Sequence, residues 1–160
     1  MDKYTISAGL IFNDKNQILL VKHIPEFGSD YYWCLPGGTA NKNERILDAL
    51  IREIKEGTNI DIRDIDKPIY TVKHTNHKRK WDSDIYTYKI KEWDGDLKIN
   101  DPDNDIVELK WFEIKQAIDV IKNIPFKVMR EPLLDYLKEK KLKDYWIYIE
   151  NENGEIEFLE

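Results

Sequence analysis

Arg52, Glu53 and Glu56 are the residues of this chain whose types and spacing best suit them to chemistry. They fall in the closing turns of a helical pattern, where the macrodipole presents negative character and favours Lys or Arg over Glu. An i, i+3 pair of carboxylates on one face adds repulsion unless a cation sits between them. A divalent metal resolves both conflicts. On a helical wheel Ile46, Leu47, Leu50, Ile51 and Ile54 form an apolar arc, with Ala49, Arg52, Glu53 and Glu56 along its flank. The helix can therefore bury one stripe and present an acidic one. The plainer alternative is an amphipathic helix with surface charges, Arg52 paired to Glu56 at i, i+4. Just upstream, Gly37 and Gly38 mark a backbone that turns sharply or is approached closely, by a phosphate or a metal on the functional alternative.

The wider spacing shifts the balance. Gly38, five residues, Glu44, seven residues, then Arg52-Glu53-Ile54-Lys55-Glu56 resembles the signature box of the Nudix hydrolase family, G-x5-E-x7-R-E-U-x-E-E-x-G-U with U a bulky aliphatic. Ile54 and Ile60 match the two U positions. Gly57 stands where the second glutamate of the pair is expected, and Asn59 where glycine is expected. The resemblance implies an α+β fold, an α/β/α sandwich on a mixed sheet, that cleaves phosphoanhydrides with Mg²⁺ or Mn²⁺. Carried over, Glu53 and Glu56 hold metal, helped by a carbonyl of Gly37 or Gly38. Arg52 orients the acids, and Glu53 or a loop acid is the candidate base. Glu44, with Gly37, Gly38 and Asn59, supports the loop and helix geometry. Asn59 can take glycine's place at a helix end, since asparagine tolerates left-handed geometry. Gly57 removes a carboxylate, and this keeps a second possibility open: a Nudix-fold nucleotide-binding or regulatory module with impaired catalysis.

Composition bounds the rest. At 160 residues, 41% apolar and 35% charged, the chain reads as one globular domain over 1–160 with a highly charged surface. No apolar run approaches the length of a membrane span, and MDKYTISAGLIF lacks the parts of a secretory signal, so a cytoplasmic location is expected. The net charge of −6 argues against a stable nucleic-acid complex and against attraction to anionic membrane. The partner implied is a small nucleotide-type diphosphate, and a homodimer is compatible with the sequence. Cys34, alone and between Trp33 and Leu35, is expected to be a buried hydrophobe.

Along the chain, residues 4–12 alternate with period two and 18–21 are continuously apolar, which predicts a hairpin. An aromatic strand at 31–35 leads into the glycine pair. The key helix should start at 41–44, capped by Asn41 or Asn43, and end at 57–59. Strands are expected at 60–73 and 84–90, joined by a basic loop whose Lys78 and Arg79, with Trp33, are candidate substrate contacts. Residues 94–96 suggest a hairpin turn, followed by an acidic loop and a strand at 106–112 ending in Trp-Phe. In the resemblance a loop acid before that strand reaches the metal: Asp105, with Asp103 and Glu108 in reserve. Helices are expected around 114–121 and over 131–141, then a C-terminal β-hairpin extension within 142–160.

Overall fold

The structure is a computed structural model describing residues 1–140 and 143–159. Among these residues the elements are β1 (Asp2–Leu10), β2 (Ile18–His23), β3 (Tyr32–Cys34), β4 (Gly37–Thr39), α1 (Ile46–Thr58), β5 (Asp61–Asn76), β6 (Trp81–Asp94), β7 (Ile106–Phe112), α2 (Ile114–Ile121), α3 (Lys127–Leu137), β8 (Tyr145–Glu150) and β9 (Ile156–Phe158). They build a mixed six-stranded sheet, β4-β1-β6-β5-β8-β9, and a three-stranded sheet, β3-β2-β7. In the larger sheet β1 runs parallel to β6 and β8 parallel to β5, while the other neighbours are antiparallel. Helix α1 packs on β1, β4 and β5; α2 packs on the smaller sheet and on α3, which also meets β5. The fold is an α+β sandwich with helices on both sides.

Two apolar clusters follow from this layering. Leu10, Ile18, Leu20, Phe112, Ala117, Ile121 and Trp146 belong to one, and Ile11, Leu19, Leu50, Ile54, Ile60 and Ile90 to the other beneath α1. Adjacent residues such as Leu10 and Ile11, both at 0% exposure, must therefore bury on opposite sides. That requirement overrides the expected hairpin. Strands β1 and β2 diverge into different sheets and touch through the Phe12–Ile18 bridge and a Leu19 N–H bond to Ile11 O. Their turn chemistry makes a corner instead.

Helix α1 begins later than its asparagines suggest. Arg45 occupies the N-cap without a side-chain bond, Asn43 has φ 66°, and the Glu44 carboxylate accepts the Asn41 N–H at 2.9 Å. The loop is thus tied by an acid the helix needs elsewhere. At the other end Asn59 is left-handed, φ 68° and ψ 8°; its N–H bonds to Lys55 O and its Nδ2 to Asp96 O. The buried face is also narrower than the wheel implies. Ala49, Leu50, Ile54 and Gly57 are buried, whereas Leu47 and Ile51 are 43% and 41% exposed. Packing through small residues rotates the helix so that Glu53 turns inward.

Further along, β5 and β6 are longer than expected, because the pairing continues to Asn76 and Trp81 and the basic loop is confined to a turn at 77–80. No hairpin forms at 94–96; residues 95–105 wrap the end of α1, with the Lys98 N–H on Thr58 O. Helix α3 starts at Lys127 and carries Pro132 inside it, so the helix read over 131–141 is displaced toward the N-terminus. Lys141 lies outside the described residues. The C-terminal hairpin is present as β8 and β9, turning at Gly154 with φ 84°, and β8 extends the larger sheet alongside β5. The ends of its expected range, Leu142 and Glu160, lie outside the described residues.

Candidate active site

Gly37 and Gly38 are strand rather than turn. In β4 they pair with Ala8 and Ser7 of β1. A side chain at Gly37 would run into the Ser7 carbonyl, and one at Gly38 into the carboxyl group of Glu53. What approaches these glycines is protein: a neighbouring strand and the box carboxylate. Gly38 thereby lets α1 lie close enough to β4 for Glu53 to rest on its backbone.

Arg52 is the hub of the acids. Its Nε and Nη2 donate to the two Glu44 oxygens, both at 2.9 Å, a bidentate pairing that fixes the guanidinium plane. Nη1 donates to Glu53 Oε1 at 3.0 Å and to Glu56 Oε2 at 3.2 Å, and Nη2 also reaches Thr39 O at 3.2 Å. One guanidinium thus ties the loop before α1, both helix acids and β4. Helical period sets the i, i+4 partner Glu56 beside Arg52, the long guanidinium arm spans the i, i+1 step to Glu53, and Glu44 arrives from the loop.

The electrostatics differ sharply among these acids. Arg52, with the Asn41 N–H second, holds the Glu44 carboxyl down from an ordinary 4.5 to about 2. A depressed folded-state pKa stabilises the native state above the unfolded value, and that stability is lost as pH falls through the folded one. Glu44→Gln should lower the melting temperature at pH 7 and flatten its decline between about pH 4.5 and pH 2. A wild-type slope in the variant, read by thermal melts across that window, would refute the pairing. Glu53 moves the other way. Burial raises its pKa, Arg52 opposes this, and the fields of Glu56 and Asp103 raise it further. Such a carboxylate gains from a cation.

Among the described residues no group of three or more His, Cys, Asp or Glu side chains is gathered as a metal-binding set. Glu53 and Glu56 are nevertheless hard oxygen donors, and Mg²⁺ commonly takes one or two protein carboxylates with water and substrate phosphate completing its shell. In donor chemistry the pair fits such an ion. Glu56 also borders a cleft of about 440 Å³ bounded by Asn100, Asp101, Pro102 and Asn104. Gly57 is buried, and a side chain there would meet Ile106 Cδ1 at 3.0 Å.

The loop acids separate. Asp103 is near enough for its field to raise the Glu53 pKa. Asp105 lies toward His23 and Glu26, its carboxyl raised by burial, and its N–H bonds Asp101 Oδ2 at 2.6 Å. Glu108 is exposed on β7, in register with Lys22.

A second feature opens from Gly37, Gly38 and Thr39: a cavity of about 600 Å³ between the larger sheet and the β3–α3 side. That volume suits a small-molecule ligand. Tyr32, Phe126 and Trp81 give it aromatic walls, and Arg79 lines it with its guanidinium 4.1 Å from the Phe27 ring centre. Of the three expected substrate contacts, Arg79 is in the cavity and two are not. Lys78 lies against the terminal turn, its Nζ 3.1 Å from where a Gly154 side chain would begin. Trp33 faces away and packs edge-on against Phe112 at 5.0 Å. Strand alternation is the reason, because Tyr32 and Cys34 on either side line the cavity. Cys34 is buried, and burial pushes its thiol up to about 12, so it is no nucleophile at neutral pH. The cavity residues His74, Asn76 and Glu150 were not among the expected substrate contacts; only the hydrophobic-polar alternation of β5 and β8 hinted at an inward polar face.

A family model described as the NUDIX domain matches residues 3–134. The 8-oxo-dGDP phosphatase NUDT18 of Danio rerio is 29% identical over 116 residues, 71% of this chain and 33% of that protein, so the chain spans about a third of the relative's length. The crystal structure of a MutT protein from Methanosarcina mazei Go1 superposes with a TM-score of 0.69 at 18% identity, covering 89% of this chain and 97% of that one. The NUDIX domain of Shewanella oneidensis NrtR, solved with ADP ribose, gives 0.64 at 18% identity and 88% of each chain. At these identities the superpositions establish the fold.

Proposed function

The chain belongs to the NUDIX domain family, and on that premise we propose that it is a divalent-metal-dependent hydrolase that cleaves the phosphoanhydride bond of a nucleoside diphosphate linked to another moiety. One observation carries this. The Arg52-held acids and the cavity meet at the same strand, since Thr39 O accepts Arg52 Nη2 while Gly37, Gly38 and Thr39 line the cavity wall. A substrate with its diphosphate at Glu53 and Glu56 can extend its organic part between the sheets.

In this reading Glu53 and Glu56 hold Mg²⁺ or Mn²⁺, with a carbonyl of Gly37 or Gly38 and the loop acid Asp105 or Asp103 as further oxygen donors. The ion supplies charge neutralisation at the diphosphate and makes an attacking water more acidic. Arg52 keeps both carboxylates oriented through its Nη1. Glu53, with its raised pKa, or the loop acid accepts the proton from water. Tyr32 and Phe126 exclude water from the organic part of the substrate.

The NUDT18 relative is named for 8-oxo-dGDP and the NrtR neighbour was solved with ADP ribose, so both compound types belong in a substrate panel. Incubation with Mg²⁺ or Mn²⁺ should release phosphomonoesters from at least one member, and chelation should stop it. No release from any member with either metal would sink the proposal. Gly57 favours one competing reading, a binding module with impaired catalysis. Tight nucleotide binding by calorimetry without metal, and no turnover of that ligand, would select it.

A further inference from the structure

Strand β8 lies beyond the residues that match the family model, yet it delivers a carboxylate to the cavity. Its parallel pairing with β5 sets Asn76 opposite Glu150 and His74 opposite Tyr148, so the inward face ends in a polar patch. Asn76 Nδ2 donates to Glu150 Oε2 at 2.8 Å, and His74 Nε2 lies 3.3 Å from the same oxygen. Both contacts fall on Oε2, and Oε1 takes no bond from the described residues. His74 and Asn76 are buried, at 7% and 2% exposure, and the Glu150 side chain is 15% exposed. Asn76 is held from both ends of its amide, since its Oδ1 accepts the Arg79 N–H at 2.9 Å. A part-buried carboxylate is thus held in one orientation with an oxygen to spare.

We propose that Glu150, held by Asn76 and His74, is a specificity-determining residue that selects substrates whose organic part presents two adjacent N–H donors, as the amide and amine edge of a guanine-type purine does. An ionised carboxylate only accepts hydrogen bonds. With Nε2–H donating to Glu150, the neutral His74 ring keeps Nδ1 as a second acceptor. Burial lowers the His74 pKa and favours that neutral ring, although Glu150 pulls the other way. An adenine-type edge sets a ring-nitrogen lone pair beside its amine, and against Glu150 that lone pair meets a second acceptor and stays unpaired. Gly37 and Gly38, beside Glu53, line the same cavity from β4, toward the other edge of the larger sheet from β8. Trp81 and the Arg79–Phe27 pair, also in the lining, offer flat surfaces for the ring.

The inference deepens the hydrolase reading by naming a substrate class, but its test is one of binding and is independent of turnover. Calorimetry on the full chain with guanosine, inosine and adenosine 5′-monophosphates should rank them in that order, with guanosine at least about tenfold tighter than adenosine. Glu150→Gln should bring the guanosine and adenosine constants within about threefold while its melting temperature stays near wild type. Glu157→Gln, an exposed acid on β9, should keep the wild-type ranking. Equal binding of the three probes by the wild type, no binding of any, or an unchanged preference in a folded Glu150→Gln would each overturn the proposal. Ranked binding without hydrolysis of any diphosphate would leave this inference standing and remove the hydrolase.

Discussion

Arg52→Ala is expected to reduce kcat/KM by about 10- to 100-fold, the usual cost of losing a group that orients metal-holding side chains. The variant removes five donated bonds from one guanidinium, two to Glu44, one each to Glu53 and Glu56, and one to Thr39 O. Three carboxylates then face one another without a cation, and Glu53 is already disfavoured as an anion by burial. Stability should fall as well, by about 1–2 kcal/mol, because the pairs are partly exposed, with Arg52 at 28%, and solvent screens them. Added Mg²⁺ should recover part of the stability but less of the rate, since an ion restores charge without restoring orientation. Arg52→Lys tests the geometry separately. Lysine keeps the charge but cannot form the fork to Glu44, so activity close to wild type in that variant would contradict the hub.

Gly38→Ala is the smallest change with a comparably large effect. An added methyl would occupy the place of the Glu53 carboxyl group, so Glu53 must swing away or α1 must move from β4. A displacement of about 1 Å in an oriented group can cost on the order of 100-fold in rate. The expected stability loss is about 1–3 kcal/mol, the range for overpacking. Steady-state kinetics should place most of the loss in kcat, because the cavity walls formed by Tyr32 and Phe126 are untouched. Full activity in Gly38→Ala would mean that Glu53 does no work where it rests.

How much of this was legible in the sequence depended on range. The box acids were readable because helical period ties Arg52, Glu53 and Glu56 to one flank within a few residues, and because Glu44 stands at a fixed spacing from them. The pressing of Glu53 onto Gly38 was not, because a glycine pair signals close approach without saying what approaches. The wheel of α1 had the right period but too broad a buried arc, since Leu47 and Ile51 stay exposed while Ala49 and Gly57 go inside. Parity defeated the aromatic assignment. Trp33 and Tyr32 are neighbours of similar chemistry, and pairing with β2 decides which one turns to the cavity. The β1–β2 corner was hidden by a competition between cores: Leu10 and Ile11 each demand a different one. Glu150 is the extreme case, brought beside Asn76 by a parallel pairing between strands far apart in the chain, which no local pattern encodes.

The central claim is that Glu53 lies at the centre of a metal-assisted hydrolysis. It is tested most directly by the kcat/KM of Glu53→Gln beside wild type, on the best panel substrate with saturating Mg²⁺ or Mn²⁺. The exchange keeps the size of the side chain and one oxygen for Arg52 but removes the charge that holds the ion and can accept a proton. The account predicts a loss of at least about 100-fold with nucleotide binding retained. Turnover by Glu53→Gln equal to that of wild type would contradict it.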